Sequence, residues 1–363
     1  MKFHQGFAFT TVFTGLLATT LVPLLATAQN TASNVSEQVA TPAAAQAASQ
    51  YWTTERQRAA KPIDTTLAGS PKAVAVQSLS PSGPLVSAPG GSPQRSQTVQ
   101  VQNAESVKPT ASQQPLSYSY PFPYTRYFVG SKNYTNHPET TVGKVFFSKS
   151  TGGDFVCSAS AVNSTNGRLI VTAGHCVSDG KGKFHRNVIF VPAYNPDSSS
   201  TSLREPYGRW SACELFTRSA WHTKEDFSQD IGMIEACDRS GSKLHKVVGF
   251  LGFLANAPRS QHWHAVGYPQ AAPFNGRKMT VCTASFATND SGTPNPIGIG
   301  CDMTGGSSGG PWIVKYSPDT VGLVNQINGV NSYKYNSQPG AMYSPYFGKE
   351  FLELRTFAIS RGA

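Results

Sequence analysis

The sequence predicts an all-β fold, a barrel or sandwich, behind a low-complexity N-terminal segment. From about residue 118 onward, aromatic and β-branched residues recur in short runs punctuated by Gly, Asn, Asp and Pro. Charged residues make up only 14% of the chain, against about 25% in an average soluble domain, which disfavours a helical bundle or coiled coil. Glycine (33) and proline (25) are abundant, as are tyrosine (14) and phenylalanine (20). No repeat of solenoid or propeller length is present. The 363 residues allow two domains, or one larger all-β domain preceded by something less structured.

Residues 1–28 read as a secretory signal. Lys2 and His4 precede an apolar stretch from Phe7 to Leu25, and Ala26-Thr27-Ala28 supplies the small residues of a cleavage site. Five threonines, Gly15 and Pro23 make the stretch a poor membrane anchor, which needs about 20 strongly apolar residues. An extracellular location follows. Residues 29–118 are rich in Ala, Ser, Gln, Thr and Pro, with Tyr51 and Trp52 as isolated aromatics. Such a composition buries little apolar area, so the segment is expected to be a linker or pro-segment. Residues 119–363 form the folded domain, with strands expected at Val142–Phe147, Leu169–Thr172, Val188–Pro192, Asp230–Ala236, His262–Gly267, Pro311–Val314 and Val321–Ile327.

The formal charge of +10 is diffuse: residues 1–126 carry 8 basic and 4 acidic side chains, and 127–363 carry 22 and 16. No Lys/Arg run of the nucleic-acid type occurs, so nucleic acid is not an expected partner, and neither is a membrane. All six cysteines, Cys157, Cys176, Cys213, Cys237, Cys282 and Cys301, lie in the folded part. In an exported chain they predict disulfides. Six thiols allow 15 pairings; sequential pairing closes three short loops and is the expected one, each bridge contributing roughly 2–4 kcal/mol. No C-x-x-C occurs and His262-Trp263-His264 stands alone, so neither a metal nor another cofactor is expected.

Three motifs carry chemistry. In Leu169-Ile170-Val171-Thr172-Ala173-Gly174-His175-Cys176 an apolar strand runs into a small-residue turn that can pin an imidazole beside a cystine. In Asp226-Phe227-Ser228-Gln229-Asp230-Ile231-Gly232-Met233-Ile234 a carboxylate sits at the mouth of a buried strand, where it needs a hydrogen-bonding partner. Asp226 competes locally with Asp230 for that role. In Cys301-Asp302-Met303-Thr304-Gly305-Gly306-Ser307-Ser308-Gly309-Gly310-Pro311-Trp312, small residues around a serine permit a tight turn with two N–H groups aimed outward, as an oxyanion requires.

Together these motifs resemble those of the chymotrypsin-like serine peptidases, T-A-x-H-C, D-I-x-x-I and G-x-S-G-G-P in the order His, Asp, Ser. Thr304-Gly305-Gly306-Ser307-Ser308-Gly309 and Ala265-Val266-Gly267-Tyr268-Pro269 are similar to the secreted microbial branch that includes glutamyl endopeptidases. The resemblance implies two antiparallel Greek-key β-barrels with the active site between them. It implies Ser308 as nucleophile, His175 as general base and acid, Asp230 as the residue orienting His175, and an oxyanion hole from the N–H groups of Gly306 and Ser308. Protein or peptide substrates and a monomeric enzyme are expected.

The residue before the nucleophile is Ser307 where vertebrate relatives carry an aspartate that pairs with a freed N-terminus, so activation by that ion pair is not expected. Removal of a pro-segment remains an expectation, with Arg126-Tyr127 one candidate junction. For the primary pocket, Asp302 lies six residues before Ser308, where trypsin-like enzymes hold a carboxylate, favouring Arg or Lys at P1. Ser332-Tyr333-Lys334 resembles the pocket wall, and Lys334 could pair with Asp302 or select acidic residues. Glutamate-selective relatives carry a histidine where this chain has Asn331. The competing readings are a glutamate-selective peptidase, a broad or apolar preference, an enzyme acting on esters, and an inactive homologue used as a binding module.

Overall fold

The computed structural model describes residues 1, 34–63, 65–72, 74, 81, 83–93 and 118–361. The expected signal lies outside the described residues apart from Met1. Among the described residues, the chain begins with β1 (Val35–Val39), α1 (Pro42–Tyr51), α2 (Thr54–Ala59), β2 (Lys61–Pro62), β3 (Thr66–Leu67) and β4 (Val86–Ala88). The edge strand β5 (Thr125–Phe128) opens the aromatic-rich part.

The first sheet contains β6 (Val142–Ser148), β7 (Asp154–Ala161), β8 (Leu169–Thr172), β9 (Arg186–Pro192), β10 (Trp210–Arg218) and β11 (Gly232–Ala236). The short helices α3 (Thr201–Arg204) and α4 (Ser219–Lys224) lie in the β9–β10 and β10–β11 connections. The strands run β10-β11-β8-β7-β6-β9, and β9 meets β10 again at Phe190 and Trp210, which closes a six-stranded barrel. Phe146, Val156, Ile170, Ile189, Phe216 and Ile234 are buried in its core, each contributing roughly 1.5–3 kcal/mol by leaving water.

After α5 (Leu244–Val248), the second sheet is built from β12 (Gly252–Ala255), β13 (His262–Gly267), β14 (Thr280–Asn289), β15 (Ile297–Gly300), β16 (Pro311–Val314), β17 (Gln326–Val330), β18 (Tyr333–Tyr335) and β19 (Gln338–Ser344). Its order is β18-β19-β15-β14-β13-β16-β17-β12, with β5 added beside β14. Trp263, Trp312, Ile299 and Met303 fill its core. The C-terminal α6 (Lys349–Arg361) buries Phe351, Leu354, Arg355 and Ala358, a spacing that places them on one helical face. The all-β expectation and its two-barrel form hold.

Two expectations change. The strand expected at Val321–Ile327 begins only at Gln326, because the preceding residues form a turn. Asn325 holds that turn with its side chain, accepting from Ser317 N at 2.8 Å and donating to the carbonyls of Ser317 and Thr320. The second change concerns residues 29–118, read as packing little. Their described parts are built into both sheets: β1 pairs with β10, β2 with β7, β3 with β18 and β4 with β12.

Composition misses this because backbone pairing does not depend on large side chains, and one aromatic suffices as an anchor. Trp52 is fully buried against Phe146, ring centroids 5.4 Å apart, and its indole donates to the carbonyl of Asn187. Thr41 caps α1 by accepting from Ala44 N, and Thr53 caps α2 by accepting from Arg56 N, both at 3.2 Å. The three disulfides pair sequentially, Cys157–Cys176, Cys213–Cys237 and Cys282–Cys301, as expected.

Candidate active site

β8 ends at Thr172, and the tight turn Gly174–Cys176 carries His175 into the space between the two sheets. A Cβ on Gly174 would lie 2.7 Å from the Trp221 ring and 2.9 Å from Asp230 Oδ1, so the turn admits no larger residue there without displacing both. Asp230 follows a short turn, Phe227–Gln229, at the entrance to β11. It is fully buried. One carboxylate oxygen accepts from His175 N at 2.7 Å, and the other lies 2.8 Å from His175 Nδ1. Ser332 Oγ donates to that second oxygen. A buried carboxylate is tolerable only when so satisfied. Asp226, the local competitor, instead accepts from Ser228 N and Ser228 Oγ and caps the preceding turn.

Carboxylate contact at Nδ1 fixes the ring tautomer with the proton on Nδ1 and leaves Nε2 as an acceptor. His175 Nε2 is buried and has no hydrogen-bond partner among the described residues. An imidazole held this way can take up a proton at Nε2 and return it. The Trp221 ring closes the far side, edge-on at 6.0 Å.

Ser308 comes from the connection between β15 and β16. Its carbonyl accepts from Ser158 N of β7 at 2.7 Å, a bond from one barrel to the other that brings the serine turn against the histidine turn. Gly309 adopts φ +78°, and a Cβ there would sit 2.0 Å from Thr172 Oγ1. Gly306 adopts φ +98° beside the carbonyl of Tyr268, and its own carbonyl accepts from Ser158 Oγ at 2.9 Å. Both positions require glycine, and the tight approach of the two sheets rests on them. Asn331 supports the turn from below: its amide donates to Ser307 O and Val266 O, and its oxygen accepts from Trp312 Nε1.

A small cavity of about 20 Å³ adjoins Ser308, lined by Met303, Thr304, Gly305, Ser332, Tyr333, Lys334 and Met342 together with Thr65 and Thr66. Asp302 does not line it. Its carboxylate instead pairs with Arg126 of β5, so the pocket-floor orientation on which a basic preference rests is not the one present. A non-local partner decided this, invisible in the spacing to Ser308. Lys334 Nζ donates to the carbonyl of Pro339 at 2.8 Å, and the Tyr333 hydroxyl donates to Asp290 at 2.8 Å. Asn331 is occupied with the serine turn. Ser332, expected only as pocket wall, also supports Asp230. Trp221, the packing partner of His175, and residues 65 and 66 at the cavity escaped sequence reasoning, and Trp221 carries no motif of its own.

Cys157, His175 and Cys176 also cluster closely enough to suggest a metal site, with ligand atoms within 4.8 Å of one another. The two sulfurs are joined to each other as a disulfide, so no thiolate is available.

No protein-family model matches the chain, and no curated protein matches it. Solved structures do. The protease Anisep from Arthrobacter nicotinovorans is 37% identical with a TM-score of 0.55, the match covering 61% of this chain and 96% of that one. The chain belongs to the chymotrypsin-like serine proteases. The thermostable serine protease AL20 from an extremophilic microorganism is 38% identical with a TM-score of 0.53, the match covering 61% of this chain and 97% of that one. The protein is accordingly a serine endopeptidase, a hydrolase of protein or peptide substrates. This serine protease carries three disulfides, and among its described residues no helix is long and apolar enough to cross a membrane.

Proposed function

We propose that this protease is exported through residues 1–28 and cleaves peptide bonds through Ser308, His175 and Asp230. The observation that supports this reading is the His175–Asp230 pairing, two hydrogen bonds made to a fully buried carboxylate. Ser308 Oγ attacks the scissile carbonyl while His175 Nε2 takes its proton. The tetrahedral oxyanion is held by the N–H groups of Gly306 and Ser308. Collapse of that intermediate breaks the C–N bond, and His175 returns the proton to the leaving amine. Water then repeats the sequence on the acyl-enzyme. Asp230 compensates the positive charge that His175 gains in each step, and Ser332 keeps Asp230 in place.

A basic P1 preference needs Asp302 free in the pocket, whereas Arg126 engages it. Among the large lining side chains Met303 and Met342 are apolar, Lys334 Nζ is held by the carbonyl of Pro339 and the Tyr333 hydroxyl by Asp290, so the pocket favours an uncharged, mainly apolar P1 residue. An organophosphonate is expected to label Ser308 alone. Ser308→Ala is expected to lower peptide hydrolysis by at least about 10³-fold. Undiminished hydrolysis by that variant, or labelling at another serine, contradicts the mechanism. Digestion of a peptide library checks the pocket; cuts concentrated after Arg, Lys or Glu would refute the apolar preference.

A further inference from the structure

The cavity beside Ser308 is small because the chain's own N-terminal segment runs through the cleft. Gln270 Nε2 donates to Ala60 O at 2.7 Å. Lys61 and Pro62 then lie parallel to Phe155 and Val156 of β7, and Ile63 N donates to Val156 O. Ile63 is buried, and its carbonyl rests against Gly305, where a Cβ would approach it to 2.5 Å. Asp64 lies outside the described residues. Beyond it, Thr65 Oγ1 donates to Ser332 O at 2.6 Å, Lys334 N donates to Thr65 O, and Asn336 N donates to Leu67 O at 3.0 Å. Thr66 and Leu67 pair in parallel with Lys334 and Tyr335 of β18.

The direction of this strand decides its chemistry. A productive substrate places its acyl half over the pocket beside β18 and its leaving amine toward His175 and β7. Its chain therefore runs from β18 to β7. Residues 60–63 and 65–67 run the other way, from β7 to β18. An amide crossing Ser308 in that sense has its carbonyl carbon on the leaving-group side and its nitrogen on the pocket side. Such an amide is reversed relative to the one an oxyanion hole is built to receive.

We propose that the substrate cleft is a binding site for residues 60–63 and 65–67 of the same chain in reversed direction, so that these residues occupy the cleft as an uncut inhibitor until processing removes them. The proposal rests on the assignment of Ser308 as nucleophile. Its ligand class is an extended peptide with a buried aliphatic residue at the centre and hydroxyl residues beside Ser332.

A tethered segment has an effective concentration of about 1 mM. A peptide with a dissociation constant near ~0.1 mM would then slow the enzyme about tenfold in the full chain. The test measures the rate of phosphonate labelling of Ser308 in three full-length proteins: the natural chain, Ile63→Glu and Thr65→Val. Labelling of Ile63→Glu about tenfold faster than the natural chain, with Thr65→Val in between, is expected. A synthetic peptide of residues 58–69, added to Ile63→Glu, is expected to slow labelling again, compete with substrate and be recovered intact by mass spectrometry. Equal labelling of all three proteins, or cleavage of the peptide within residues 62–66, overturns the proposal. Should Ile63→Glu fail to fold, Thr65→Val and the peptide competition against it carry the same two outcomes. Absence of labelling in every form, including the natural chain nicked by limited proteolysis after Gly69, refutes the nucleophile assignment instead, a result distinct from equal labelling.

Discussion

At the scale of single residues, the site is governed by crowding around small side chains. Gly174 faces both Trp221 and Asp230 Oδ1 at distances that exclude a methyl group. Gly174→Ala is therefore expected to push Asp230 away from His175 and to lower kcat by about 10²-fold, the cost of a misplacement near 1 Å, with KM little changed. Steady-state kinetics on a chromogenic peptide checks this; an unchanged kcat contradicts it. The same crowding made His175, Asp230 and Ser308 readable in the sequence, because small residues must stand beside them in a fixed order. Asp302 illustrates the opposite case. Its spacing to Ser308 was legible, but its orientation depends on Arg126, 176 residues away in the chain, and no local pattern encodes such a partner.

At the scale of elements, β11 carries a buried carboxylate whose setting differs from that of Asp230 at its entrance. Glu235 is buried beside Asn166, which donates to Oε1 at 3.0 Å, while Oε2 has no hydrogen-bond partner among the described residues. Burial pushes its carboxyl up to about 7. The folded chain thus holds this proton where the unfolded chain has released it, and stability falls as pH rises from about 4.5 through 7. Glu235→Gln removes the ionisation and keeps the acceptor. It is expected to stabilise the protein on the order of 2 kcal/mol at pH 9 and to leave it nearly unchanged at pH 4.5. Urea unfolding at the two pH values measures this, and an equal shift at both would sink the account. The strands themselves were mostly legible from short apolar runs, as β6, β8, β13 and β16 show. The late start of β17 was not, since it turns on three side-chain bonds of Asn325.

At the scale of the whole molecule, three buried histidines outside the site set an acid limit. Burial lowers His137, His185 and His245 each to about 4. Between about 4 and the ordinary value near 6.5, the unfolded chain binds more protons than the folded one, so the stability present above 6.5 is lost as pH falls toward 4. His185 is stacked on Phe147 at 4.5 Å with Nε2 3.0 Å from the carbonyl of His175, while its buried Nδ1 has no hydrogen-bond partner among the described residues, so the proton it gains at low pH sits unsatisfied in the interior next to the histidine turn. Thermal unfolding followed from pH 7 to pH 4 is expected to show a steady drop in Tm, opposed only in part by Glu235; a flat or rising profile would contradict it. The N-terminal segment is the least legible feature at this scale. Its Ala, Ser and Thr residues bury little on their own, and its place in the fold comes from strands contributed by both sheets.

β1 also matters for what its departure would expose. It pairs with Glu214 to Arg218 along the margin of β10 that β9 does not reach, and Glu37 near its centre binds Arg361 of α6. Shedding the N-terminal region would strip that margin to bare amide and carbonyl groups, a template onto which a foreign strand could add. Loss of that region would then free the proposed cleft and, along β10, leave an adhesive seam that the enzyme must keep from joining its neighbours.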